Sequence, residues 1–313
     1  MPASPGCGQN SPRRHRRARR TRFALACNGL MTRTPKPRNP VATTHLTVTG
    51  SEVITPRLRR LWFHSDDLSA FADSRFTDRY VKLLFPQPGV DYPHFDVRAL
   101  RAVMPPDDLP VVRTYTALSP DIASGTLAID FVLHGVEGVA GPWAAAAREG
   151  NTLMVNGPGG AYSPDPTAQW HLLVGDESAL PAIGAALAAL PDDAEVRVVA
   201  LVDSPEHQLA LSVPAGGHVT WVHRSADDSV DALSRAVEKL DWPEGRVHVF
   251  AHGEAEETMR SLRPYLLKER AVSKSDLSIS GYWRRGRTEE GFRAWKAEVR
   301  NKRGTALSSP DAG

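Results

Sequence analysis

Cysteine is almost absent from this chain, with only Cys7 and Cys27 among 313 residues. Both lie in the first thirty positions, so the body has no thiols for a disulfide framework, a zinc site or an iron–sulfur cluster. Any redox chemistry there must be carried by a bound organic cofactor. Acidic residues are missing from the first 40 positions, which hold nine Arg and one Lys; the remaining 28 Lys+Arg face all 36 Asp+Glu, a formal charge of −8. An acidic body excludes a general nucleic-acid-binding surface. Long apolar runs are lacking too. No segment approaches the roughly 20 residues needed to cross a bilayer as a helix, and the best is a short Ala/Leu stretch at 182–190.

The basic run Arg13, Arg14, Arg16, Arg17, Arg19, Arg20 and Arg22, set among Pro, Ser and Gly, has too little apolar surface to offset its ordering entropy. Residues 1–40 are therefore expected to be a disordered extension, and Met31 is a sensible alternative start. Arg19-Arg20 precedes the apolar Phe23-Ala24-Leu25-Ala26, but that stretch is far too short for the core of an export signal. The expectation is a cytoplasmic protein without a transmembrane segment.

What is present divides at a Pro-rich joint, Ser163-Pro164-Asp165-Pro166. Before it, short β-rich runs at 44–48, 58–63, 80–85, 111–117, 127–133 and 152–155 alternate with Gly and Pro. They predict a six-stranded antiparallel barrel. One helix is expected at 143–148, just after Gly141-Pro142. After the joint, apolar strands at 171–175, 196–202, 219–222, 247–251 and 277–282 alternate with helices at 178–190, 230–240 and 254–269. That pattern predicts a doubly wound α/β domain. The expected boundaries are 41–162 and 163–303, with 304–313 a frayed tail.

A barrel followed by a nucleotide-type α/β domain is the order used by ferredoxin-reductase-like flavoproteins. Arg113-Thr114-Tyr115-Thr116 lies on a predicted strand whose alternation sets Arg113 and Tyr115 on one face. A guanidinium can neutralise a pyrophosphate, and a phenol can pack against a flavin or its ribityl chain. The next strand supplies Asp130-Phe131-Val132-Leu133-His134, and the following loop brings Ala140 and Gly141 to a helix start, where backbone N–H groups favour phosphate.

These blocks resemble the siderophore-interacting protein family of FAD-dependent ferric-siderophore reductases. The resemblance runs over about 44–296 and includes Gly157-Pro158-Gly159-Gly160, Gly175-Asp176-Glu177-Ser178-Ala179-Leu180-Pro181 and Gly281-Tyr282-Trp283-Arg284-Arg285-Gly286. It implies that Arg113, Thr114, Tyr115, Thr116 and the 130–134 segment contact FAD, that Ala140 and Gly141 meet its pyrophosphate, and that Tyr282, Trp283 and Arg284 close over the flavin. One departure is Leu118, where the family commonly has a basic residue; FAD then has one electrostatic contact fewer.

For NADPH or NADH as electron donor, Gly175, Asp176, Glu177 and Ser178 lie where a doubly wound sheet binds a nucleotide, with His252 and Gly253 at a later strand end. No Gly-x-Gly-x-x-Gly is present. Asp203 would repel a 2′-phosphate and His223-Arg224 would attract one, so the sequence leaves the choice open. Lys82 and Arg285 are candidate cations for an anionic ferric siderophore. The resemblance thus implies an NAD(P)H:ferric-siderophore oxidoreductase, expected to be monomeric, that releases Fe(II). The alternatives are a general flavin or ferredoxin-type reductase and a non-enzymatic siderophore carrier.

Overall fold

The computed structural model describes residues 43–133, 135, 138–287 and 291. Strands β1 (Thr43–Thr55) and β2 (Leu58–His64) show how the first sheet forms. Leu46, Val48, Leu61 and Phe63 are buried on one face, while Arg60 and Trp62 point the other way. That period of two is the signature of a sheet with one apolar face. β3 (Tyr80–Phe85), helix α1 (Val97–Val103), β4 (Val111–Thr116), β5 (Leu118–Asp121), β6 (Thr126–Val132), helix α2 (Ala140–Ala146) and β7 (Thr152–Gly159) complete this half. The strands form one antiparallel sheet in the order β4-β3-β7-β1-β2-β6-β5. Its inner face packs Leu46, Leu61, Phe63, Val81, Leu83, Ile129, Phe131 and Val155 into one core, with α2 contributing Ala140 and Ala144.

Two sequence expectations need correction here. The sheet has seven strands, because Leu118–Asp121 pairs with β6 despite containing Pro120 and a positive φ of 44° at Ser119. Both features argue against a strand, and they are tolerated because β5 is an edge. No hydrogen-bonded ladder among the described residues joins β4 to β5 or β6, so the sheet curls until β4 approaches β6 without closing. Helix α1 was not anticipated. Asp96 caps it by accepting from the backbone N–H groups of Arg98 (2.8 Å) and Ala99 (3.2 Å), and Val97 covers Leu84 and Val112 on the outer face.

The second half comprises β8 (Trp170–Asp176), α3 (Leu180–Leu187), β9 (Val196–Val202), β10 (Gly217–His223), α4 (Ala232–Glu238), β11 (Val247–Glu254) and β12 (Leu277–Trp283). They form a parallel sheet in the order β10-β9-β8-β11-β12. Every residue of β8 is buried, as a central strand covered on both faces requires. Leu173, Val198, Ala200 and Phe250 face α3, whereas Leu172, Val174, Val199 and Val249 face the opposite cluster with α4 residues Leu233 and Val237. The helix expected at 254–269 is largely π-helical, over Glu257–Leu262 and Tyr265–Glu269, with Pro264 between the two segments. Among the described residues no helix is long and apolar enough to cross a membrane.

The order places the switch between β8 and β11, whose carboxyl ends open side by side. This is the crevice where open α/β sheets take their ligands.

Candidate functional site

On β4, Arg113 pairs across the ladder with Leu83 and Tyr115 with Val81, both core residues, so Arg113 and Tyr115 share the inner face as alternation predicted. The Tyr115 ring lies 4.7 Å from Phe131, which is fully buried and itself 5.9 Å from Trp143. Phe131 is thus a packing platform beneath Tyr115. Arg113 is half-buried and donates from Nη1 to the Val112 carbonyl at 3.0 Å. Thr114 is exposed on the other face and Thr116 is buried. Val132 and Leu133 are half-buried at the end of β6, and His134 lies outside the described residues.

Asp130 has a partner that the sequence reading missed. Its side chain is fully buried, and Arg60 grips it with two bonds, Nε to Oδ1 at 2.6 Å and Nη2 to Oδ2 at 2.8 Å. The bidentate geometry follows from strand register, which sets Arg60 opposite Asp130.

Ala140 and Gly141 begin α2 and are buried, and no side chain caps this terminus. The preceding Gly135 and Gly138 have φ of 70° and 77°, with open space where a Cβ would stand. Uncapped N–H groups and a glycine-bearing approach leave backbone donors open at the start of α2.

At the switch point the tightest knot is Asp176, only 1% exposed. Its Oδ1 accepts from the Ser178 N–H (3.0 Å) and hydroxyl (2.5 Å); its Oδ2 accepts from the Glu254 N–H (2.9 Å) and Trp283 Nε1 (2.7 Å). One carboxylate therefore ties together the ends of β8, β11 and β12. Glycine is required around it. A Cβ on Gly253 would lie 2.8 Å from Asp176 Oδ2, and one on Gly175 would lie 2.8 Å from the His252 carbonyl and 2.5 Å from the Ala179 Cβ. Asp176 and Ser178 thus act here by shaping the strand ends.

His252 is buried, stacked 4.0 Å from Phe250, with its Nε2 3.0 Å from Ser278 Oγ. It meets Tyr282 edge-on at 4.8 Å. Burial, reinforced by Asp78, Asp176 and Tyr80, drives the Tyr282 phenol well above its ordinary value, so it stays protonated. Those neighbours set the β12 end near the start of β3, and Tyr80 of β3 pairs with Thr116 of β4. Strand β4 and the carboxy-terminal aromatic block, 166 residues apart from Thr116 to Tyr282 in sequence, are thereby brought to one seam.

Around this seam Gly159 and Gly160 have a clear reason. A Cβ on Gly159 would sit 2.3 Å from the Tyr80 ring, and one on Gly160 2.4 Å from Phe76. Asp78 is buried, accepts from the Ala161 and Tyr162 N–H groups, each at 2.9 Å, and is pushed upward by burial. Neither Asp78 nor the crowding of Tyr80 was legible beforehand, because both depend on which strand adjoins β3.

Lys82 donates to Thr114 Oγ1 at 3.2 Å and lies 5.3 Å over the Tyr80 ring, on the outer face of β3. Arg285 lies beyond β12, where its N–H meets Glu254 Oε1 at 3.1 Å and its guanidinium faces Asp228 at 3.8 Å. Arg284 pairs with Glu256 at 3.0 Å. Glu177 pairs with Arg224, and burial pushes its carboxyl upward. Glu257, also absent from the sequence reading, is buried beneath the β11 end and pushed up to about 7 by that burial, while accepting from the Ser234 N–H at 3.0 Å.

Comparison with known proteins matches the two halves of the chain separately. Residues 47–162 match the siderophore-interacting FAD-binding domain, and residues 168–286 match the siderophore-interacting protein family. The chain is 46% identical over 266 residues to Rv2895c of Mycobacterium tuberculosis, covering 80% of this chain and 94% of that one. It is 32% identical over 244 residues to the ferric vibriobactin reductase ViuB of Vibrio cholerae, covering 76% and 88%. Among solved structures, the siderophore-interacting protein SipS from Aeromonas hydrophila superposes with a TM-score of 0.69 at 30% identity, covering 84% of this chain and 100% of that one. A siderophore utilization protein from T. fusca gives 0.66 at 35% identity, covering 80% and 95%. A ferredoxin reductase of carbazole 1,9a-dioxygenase, at 15% identity and a TM-score of 0.57, shares the fold. Two matched modules in unbroken order make this chain a member of the siderophore-interacting protein family, an FAD-binding oxidoreductase that shares its fold with a ferredoxin reductase.

Proposed function

We propose that the protein is an NAD(P)H-dependent ferric-siderophore reductase, with an FAD module over 41–162 and a nucleotide module over 163–303. The observation that carries the reading is the seam itself. Tyr282 meets His252 edge-on and its phenol is influenced by Asp78 and Tyr80 at the start of β3, which pairs with β4, so the end of β12 lies near both strands. Bound FAD supplies the conversion between hydride, a two-electron donor, and ferric iron, a one-electron acceptor.

The protein's residues would hold and shield the reactants. Arg113 and the uncapped start of α2 at Ala140 and Gly141 suit the pyrophosphate. Tyr115, supported by Phe131, and Tyr282 with Trp283 offer aromatic surface to the ring system, and their bulk excludes water. Asp130 contributes backbone and fold, since Arg60 occupies its carboxylate. Overall, one NAD(P)H reduces two ferric complexes, leaving NAD(P)+, a proton and two ferrous ions. Ferrous iron suits hard oxygen ligands less well than ferric iron, which favours release. Lys82, half-buried on the outer face of β3 beside the Tyr80 ring, is the cation offered to an anionic chelate.

The test is direct. The chain purified with FAD should show a flavin spectrum, and NADH or NADPH with a ferric siderophore should yield trapped Fe(II), with a kcat/KM for donor oxidation above that for a simple ferric chelate. Arg113→Ala should release FAD more readily while folding normally. A chain that takes up no FAD overturns the reading; one that reduces only simple acceptors identifies a general flavin reductase.

A further inference from the structure

The ends of β8, β9 and β10 carry a closed set of charges that none of the comparisons assigns. Glu177 follows β8, Asp203 follows β9 and Arg224 follows β10. Backbone bonds lock the last two exits together, from the Arg224 N–H to the Val202 carbonyl (2.9 Å) and from the Ser225 N–H to the Asp203 carbonyl (2.8 Å). Arg224 Nη1 binds both Glu177 Oε1 and Asp203 Oδ1, the latter at 2.9 Å, and its side chain is 18% exposed. The other Asp203 oxygen meets Arg57, which reaches across from the β1–β2 turn.

A doubly wound sheet reads the adenosine ribose at this edge. An acidic side chain after the second strand accepts from a 2′-hydroxyl, whereas a nearby arginine accommodates a 2′-phosphate. This chain has both residue types, and their pairing decides between them. Resting on the donor reading above, we infer that the protein is built for NADH, with Asp203 and Glu177 as the residues that determine this specificity by occupying Arg224.

Two guanidinium groups and two carboxylates sum to zero, and Asp176 lies close by, so an incoming phosphate meets no net attraction. To capture Arg224 it would have to displace Glu177 or Asp203, leaving a partly buried carboxylate unpaired beside a dianion. A 2′-hydroxyl asks only for an acceptor, and each Asp203 oxygen keeps a lone pair after its arginine bond. The adjoining His223 is engaged with Gln208 Nε2 at 2.9 Å.

The experiment uses the full chain with FAD bound. ADP-ribose and its 2′-phosphate are titrated calorimetrically, and flavin bleaching by NADH and by NADPH is followed anaerobically. ADP-ribose should bind at least about tenfold tighter, and NADH should reduce the flavin with a kcat/KM higher by a similar factor. Asp203→Asn and Glu177→Gln together should move the ratio toward the phosphorylated ligand by about tenfold or more. Equal or tighter binding of the 2′-phosphate to the unaltered chain overturns the inference. So does a selective loss of that ligand in Arg224→Gln. The wild-type comparison needs no variant to fold. If neither nucleotide binds and neither bleaches the flavin, the donor reading itself falls and takes the inference with it; a preference for NADPH refutes the inference alone.

Discussion

Asp176 offers the sharpest test of how the nucleotide crevice is held together. In Asp176→Ala, two half-buried donors at the far end of the carboxylate, the Glu254 N–H and Trp283 Nε1, lose their acceptor, as do the N–H and hydroxyl of Ser178. A bond to a charged acceptor contributes about 1.5–3 kcal/mol and an orphaned buried donor costs about 1–3 kcal/mol. Some of this is offset because the mutant no longer buries a charge, so a net loss of about 3–5 kcal/mol is expected. Asp176→Asn is gentler. Its amide group can turn toward Ser178, whose hydroxyl rotates to accept, and its carbonyl still serves Glu254 and Trp283; about 2–3 kcal/mol is lost. Trp283→Phe removes one donor and leaves the other three bonds, at about 1–2 kcal/mol. Denaturant titration of the chain at fixed FAD concentration measures all three, because bound cofactor shifts apparent stability. The double variant Asp176→Ala with Trp283→Phe should cost less than the two singles together by about 1–2 kcal/mol. A cost below about 1 kcal/mol for Asp176→Ala, or strict additivity in the double variant, would refute the claim that this carboxylate ties three strand ends.

Other outcomes follow from the same structure. Burial, reinforced by His248, pushes His171 down to about 4 from an unfolded value near 6.5, so the folded protein resists its protonation. Stability from this group is intact above pH 6.5 and lost as pH falls toward 4, by about 3 kcal/mol; urea midpoints at pH 7 and 4.5 for wild type and His171→Phe should differ in slope accordingly, and parallel pH dependence would contradict it. Gly159→Ala must displace the Tyr80 ring and should destabilise by about 1–3 kcal/mol. Adding Tyr80→Ala should recover part of that loss, which a thermal melt of the two variants can show. Arg60→Met strands the fully buried Asp130 carboxylate and should cost about 3–5 kcal/mol, whereas an effect under about 1 kcal/mol would mean that Asp130 finds another partner.

Much of the architecture was legible from local pattern. Strand β9 occupies 196–202 as the run Val-Arg-Val-Val-Ala-Leu-Val predicts, and the switch from period two to buried runs at the Pro-rich joint marks where one sheet ends and the other begins. Strand β5 and helix α1 were not legible. Pro120 and Ser119 disguise an edge strand, and α1 rests on an Asp96 cap and an outer-face contact that composition does not announce. The site divides in the same way. The blocks at 113–116, 130–134, 175–178 and 281–286 stand out as sequence, and the pairing of Arg113 with Tyr115 on one face follows from backbone alternation alone.

What the sequence could determine by itself was therefore whatever depends on neighbours within a few residues: strand periodicity, helix starts, the acidic body and the cofactor-type motifs. Only the tertiary structure decided the partners. Arg60 claims Asp130, Asp176 binds Trp283 from 107 residues away, and Glu177 and Asp203 hold Arg224. The physical reason is that a carboxylate's role is set by the donors within about 3 Å of its oxygens. In a sheet, strand order and register choose those donors, and no local signal encodes either.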